Sequence, residues 1–263
     1  MQYRSGHFGR RAFFFILLIL FAGNPLHYVG AASDTASVTT VVLLGSGNPM
    51  PDPERQGPAT AVVVNGTPYL VDFGPGVVRQ AAASAEEKGI RALKPSNIKT
   101  VFVTHLHSDH TAGYPDLILT PWVMGRREPL EVYGPKGLKE MTDHVLAAYQ
   151  EDIRIRTEGM EQNPKDSLKV NVHEVQPGVV YKDANVTVTA FPTQHGDWVE
   201  SYGYRFDTPD RSIVIPGDTT PTQATIDACN GCDILIHEAL TMKYLNNPMR
   251  PNAQGHDIKA YAE

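Results

Sequence analysis

Four potential metal ligands are crowded into Thr104-His105-Leu106-His107-Ser108-Asp109-His110, directly after the apolar run Val101-Phe102-Val103. Any fold that carries this heptapeptide must bury a strand and present its end to a site that collects further ligands from elsewhere. In an extended segment residues i and i+2 point the same way, so His105 and His107 can share one metal. The turn toward Thr111-Ala112-Gly113 then brings Asp109 and His110 to a neighbouring position. The cluster contains no Cys, whereas closed structural zinc sites favour Cys. Two divalent metals in an open site are therefore expected, with zinc suited to imidazole and iron or manganese as alternatives. Such a site converts water into a nucleophile at neutral pH, which points to hydrolysis with Asp109 among the catalytic groups.

His-x-His-x-Asp-His after an apolar strand resembles the signature of the metallo-β-lactamase superfamily. Leu44-Gly45-Ser46-Gly47-Asn48-Pro49, Leu70-Val71-Asp72-Phe73-Gly74-Pro75-Gly76, Ser201-Tyr202-Gly203-Tyr204, Gly217-Asp218-Thr219 and His237-Glu238-Ala239 are similar to segments of its ribonuclease Z-like phosphodiesterase branch. The resemblance implies a four-layer αβ/βα sandwich, a dinuclear metal centre and a dimer as one oligomeric state. It also implies a last metal-ligating His beyond the position of His256, so the fold is expected to be C-terminally incomplete at Glu263.

Residues 1–31 read as a signal peptide, with Arg4, Arg10 and Arg11 ahead of an apolar core over residues 12–23 and Val29-Gly30-Ala31 as the cleavage site. The core is shorter than the roughly 20 residues that a spanning helix needs, so no stable membrane span is expected. Arg10-Arg11 is compatible with a twin-arginine route and equally with an ordinary signal peptide. Either route predicts a periplasmic or secreted product. Removing 31 of 263 residues leaves one hydrolase domain over residues 32–263 and takes the formal charge from −6 to −9, because the segment holds three Arg and no acid. An acidic chain without a basic run argues against nucleic acid and for a small ester or phosphodiester. Cys229-Asn230-Gly231-Cys232 has redox-motif spacing, but in an exported chain it reads as a local disulfide.

The pattern between the motifs is α/β. Strands are expected over residues 38–44, 61–64, 67–73, 99–104 and 130–133, with Asn65-Gly66 as the turn of a hairpin. Helices are expected over residues 77–88, 112–124 and 138–156, the last being the longest. The second half reads as strands over residues 170–175, 179–181, 185–191, 202–207 and 212–216, then a helix over 222–229 and a strand over 233–237. His144 and His173 read as structural or surface residues.

A catalytic zinc held by His105 and His107 needs a third ligand, and His195, after the strand ending at Phe191, is the best candidate. The resemblance assigns His195 to that first site and Asp218 to a bridge between both metals. Asp218 stands where some β-lactam-cleaving relatives carry Cys, and a carboxylate suits phosphoester oxygen better. By the same resemblance Glu238 and His256 protonate the leaving oxygen. Asp72, on a strand aimed at the first loop, is expected to orient a ligand His from behind. The reading is an exported phosphodiesterase; the alternatives are another ester class (lactone, sulfate ester or β-lactam) and a non-catalytic metal-binding remnant. Trp198 and Tyr202 read either as a surface for the organic group or as core aromatics.

Overall fold

A computed structural model describes residues 38–239. Residues 1–31, expected to be a signal peptide, lie outside the described residues, as do His256 and the end of the chain.

Strand β1 (Thr39–Gly45) pairs antiparallel with β2 (Ala59–Val64), and β2 with β3 (Thr67–Val71). The β2–β3 turn is Asn65-Gly66, with φ of 49° and 78°, as a two-residue hairpin turn requires. From β3 the sheet continues in parallel through β4 (Thr100–Phe102), β5 (Leu130–Gly134) and β6 (Val170–Glu174). The second sheet runs β11-β10-β9-β8-β7, from β7 (Gly178–Lys182), β8 (Thr187–Pro192), β9 (Tyr202–Asp207), β10 (Ser212–Gly217) and β11 (Ile234–His237). All its pairs are antiparallel except β10–β11.

The first sheet is covered on both faces, so alternate residues of one strand serve different cores. Ala61, Val63, Leu70, Val101 and Val103 face helices α1 (Val77–Glu86), α3 (Tyr114–Val123) and α4 (Leu138–Ala148). Val62, Val64, Tyr69, Val71 and Phe102 instead meet Val188, Tyr204, Phe206 and Ile213 of the second sheet. A continuous apolar run such as Val101-Phe102-Val103 is the signature of this double burial. With α6 (Gln223–Ala228) touching β8, the order is helix, sheet, sheet, helix.

The expected long helix over residues 138–156 is two helices, α4 and α5 (Gln150–Glu158), which part at Tyr149. Helix α4 packs on the sheet through Leu138, Met141 and Val145. Helix α5 buries no residue and is braced by its own Glu151–Arg154 and Asp152–Arg156 pairs, so the break lets it leave the sheet surface. His144 is exposed, and His173 stacks on Tyr133 and bonds Glu131. Cys229 and Cys232 are disulfide-bonded. Among the described residues no helix is long and apolar enough to cross a membrane.

Candidate metal centre

The parallel strands β3, β4 and β5 all end toward the same edge, and so do β10 and β11. Ligands in α/β folds collect outside the carboxyl ends of such strands. Asp72 follows β3, His105 follows β4, Asp218 follows β10 and Glu238 follows β11, while His195 arrives after β8. The sheets are tied together beside the site, where Tyr202 N–H donates to Thr104 O at 2.9 Å and Tyr204 Oη–H to Val103 O at 2.9 Å. The chain after His107 turns into the single-turn helix α2 (Ser108–Thr111), which carries Asp109 and His110. Helix α2 is pressed against the β3 loop: a Cβ on Gly113 would lie 2.4 Å from Gly74 O, and one on Gly74 2.4 Å from Asp109 O.

The imidazoles converge in two sets. His107 Nδ1 lies 3.0 Å from His105 Nε2 and 3.0 Å from His195 Nε2, so three nitrogens face one point. His105, His110 and Asp218 form a second set within mutual reach. Thus His105 is common to both sets, and Asp218 sits with His110, 3.3 Å from its Nε2, rather than with His107 and His195. Asp109 is buried with Oδ2 3.8 Å from His110 Nε2, adjacent to the second set but outside it. Glu238 accepts the Thr219 N–H at 2.7 Å. Thr219 Oγ1 in turn accepts the Gln194 N–H at 3.0 Å, so one buried threonine joins the loops of His195, Asp218 and Glu238.

Behind the ligands stands Asp72, 4% exposed. Its Oδ1 accepts the Thr104 N–H at 2.8 Å and its Oδ2 the His110 Nδ1–H at 2.8 Å. That bond orients His110 with Nε2 toward Asp218. Asp72 holds φ at 63°, in the left-handed region that Asp and Asn tolerate better than most residues.

Burial holds His105 neutral, pushing it down to about 2, and burial also lowers His107 and His195. Neutral imidazoles are what a metal requires. His110 behaves in the opposite way. Burial disfavours its cation, but the Asp72 charge and the carboxylates of Asp218 and Asp72 outweigh that and raise it to about 11. Burial likewise disfavours the Asp218 anion, yet His110 brings it down to about 2. The pair therefore demands a positive charge at its centre. His110 Nε2 is fully buried and makes no hydrogen bond despite the nearby carboxylates, so the donor set fits a divalent cation that replaces the proton.

Residues 67–256 match the family profile described as the beta-lactamase superfamily domain. Ribonuclease Z of Mycobacterium sp. (strain KMS) is 40% identical over 206 residues, covering 76% of this chain and 68% of its own length. The chain belongs to the metallo-β-lactamase superfamily. Within it the chain falls in the ribonuclease Z-like branch and is a metal-dependent hydrolase. Ribonuclease Z of Mycobacterium marinum is 34% identical over 210 residues, 79% of this chain and 72% of that one. Human tRNase Z, short form, shares the fold with a TM-score of 0.59 and 26% identity, over 76% of this chain and 78% of its own.

Two clefts flank the centre of this metallo-β-lactamase fold. The larger, about 430 Å³, is lined by Asp109, His110, Asp218 and Glu238 together with Asn48 and Arg55 from the β1–β2 loop. The smaller, about 330 Å³, lies on the side of His107 and His195 and is walled by Trp198. Sequence reading left Arg55 and Thr219 without a role. No motif marks Arg55, and the signal for Thr219 is its place directly after Asp218 at the end of a strand. Tyr202 is a core aromatic, 4% exposed between the sheets, and does not face either cleft.

Proposed function

We propose that this chain is an exported phosphodiesterase with two divalent metals, zinc being the best match to its donors, and that it acts on small diesters. The observation that carries the reading is the pair of ligand sets, His105-His107-His195 and His105-His110-Asp218, beside a cleft that also holds Asp109 and Glu238. A bound metal pair supplies Lewis acidity toward a phosphoryl oxygen and lowers the pKa of water into the neutral range. His105, His107 and His195 hold the first ion; His110, Asp109 and Asp218 hold or neutralise the second. Asp72 keeps the His110 ring in one tautomer, and Asp109 orients the attacking water. Glu238, whose carboxylate accepts the Thr219 N–H, delivers a proton to the departing oxygen. His256 is proposed as its partner from sequence alone.

Export is supported by the basic head, apolar core and small-residue site of residues 1–31. Small substrates are supported by the acidic charge and by the interval from His195 to Asp218, too short for a long RNA-gripping arm. The second reading is RNA processing, and what favours it is the 40% identity to a ribonuclease Z. The two separate in one comparison at moderate salt: hydrolysis of bis(p-nitrophenyl) phosphate against 3′ trimming of a tRNA precursor by the metal-loaded full chain. Efficient, specific trimming would return the chain to the RNA role, because binding structured RNA needs many phosphate contacts.

A further inference from the structure

We propose that the cleft beside His107 is a specificity pocket for an uncharged planar group, an aryl or nucleobase ring on one arm of the diester, with Trp198 as its wall. The inference rests on the phosphodiesterase reading and extends it to the substrate's organic part. The cleft of about 330 Å³ is lined by His107, His195, Gly196, Asp197 and Trp198. It therefore opens directly off the first ligand set, one ester arm away from a phosphorus held at the metals.

The lining is suited to a ring. Gly196, at φ 52°, adds no side chain to the lining. The tight turn closes with Trp198 N–H donating to His195 O at 3.1 Å, which places the indole back over the ligands. The indole stands edge-on to the His107 ring, with centroids 5.1 Å apart and planes at 83°. A half-buried indole packed against a ligand ring offers a second ring a broad apolar face at little cost in freedom. The neighbour of Trp198 in sequence, Val199, is an apolar side chain 98% exposed.

The same lining selects against charge. No lysine or arginine lines this cleft, and the chain carries none between Lys182 and Arg205. Asp197 lies in the lining and Glu200 closes the loop, its carboxylate accepting the Lys136 N–H at 2.9 Å. A second phosphate on this arm would meet the Asp197 carboxylate and no lysine or arginine of the lining, whereas the opposite cleft offers Arg55. The ring that fits is neutral.

The test is calorimetric binding of phenylphosphonate and methylphosphonate to the zinc-loaded full-length protein, in the native chain and in Trp198→Phe, Trp198→Leu and Trp198→Ala, with zinc content measured on each. Both probes offer the metals the same phosphonate, so their affinity ratio reports the pocket alone. The native chain should prefer the phenyl compound by about tenfold, the scale of one ring–ring contact. Trp198→Phe should keep that ratio within about threefold, because an aromatic ring remains. Trp198→Ala should bring it close to unity; Trp198→Leu, which keeps apolar bulk without a ring, should do the same and replaces the alanine variant if that one fails to hold zinc. A ratio near unity in the native chain, or an equal loss in Trp198→Phe and Trp198→Ala, would overturn the proposal, the latter by showing that an aromatic ring at this position is not what selects the phenyl group. Turnover of bis(p-nitrophenyl) phosphate, followed separately, tests the phosphodiesterase reading without bearing on this ratio.

Discussion

Replacing Asp72 by Asn removes one charge and one acceptor from a group that has no oxygen to spare. The carboxylate uses Oδ1 for the Thr104 N–H and Oδ2 for His110 Nδ1–H, both at 2.8 Å. An amide offers a single oxygen, so one of these buried N–H groups must face its NH₂. The backbone should not resist, since Asn accepts φ near 63° as readily as Asp. The expected outcome is a protein destabilised by only about 1–2 kcal/mol, one charge-assisted bond exchanged for a poor contact. Its second metal should bind about 10–100-fold more weakly, the usual effect of losing the group behind a ligating His. Asp72→Ala should behave differently, because it orphans Thr104 N–H, frees His110 and puts Ala in the left-handed region. Together these cost about 4 kcal/mol. Competition with a chromophoric chelator gives the two metal affinities, and urea denaturation of the stripped protein gives the stability. Asp72→Asn retaining both affinities within about threefold would refute the assignment of Asp72 to His110.

The chelator-stripped protein should be most stable near pH 6.5, the ordinary value for His. Below it the unfolded chain binds protons that His105, held down to about 2, refuses, so stability falls as pH falls; above it His110, raised to about 11, keeps a proton that the unfolded chain has released, so stability falls as pH rises. Metal loading should abolish the alkaline decline, because the ion replaces that proton, and thermal melts across pH with and without zinc read both arms. Gly74→Ala should destabilise by about 2–3 kcal/mol or prevent folding, since its Cβ would meet Asp109 O at 2.4 Å and Gly57 C at 2.5 Å, backbone atoms that cannot swing aside. Glu238→Gln keeps an acceptor for Thr219 N–H but cannot give up a proton; kcat on an alkyl-leaving diester should drop about 10²-fold with KM little changed, measured by steady-state kinetics.

Much of this arrangement was legible because period and motif pointed the same way. The run at residues 101–103 announced a doubly buried strand, Asn65-Gly66 announced its hairpin, and the ligands fell at strand ends where the parallel pairs β3–β4–β5 and β10–β11 deliver them. What pattern could not show was which residues meet across the two sheets. The break at Tyr149 depends on where α4 runs out of sheet to cover, since the charges of residues 150–158 suit one continuous helix as well as two. The Thr219 hub joins residues 194, 219 and 238 through main-chain donors, which leave no trace in side-chain spacing. Trp198 beside His107 and Tyr202 in the core are likewise products of one turn at Gly196, not of composition.

The central claim, a dinuclear centre built on His105, His107, His110, His195 and Asp218, is tested most directly by elemental analysis of purified full-length protein that hydrolyses a phosphodiester. The account predicts about two divalent ions per active chain, zinc foremost, with the first-site ion and turnover both lost in His107→Ala. Active protein holding at most trace zinc, iron or manganese would contradict it.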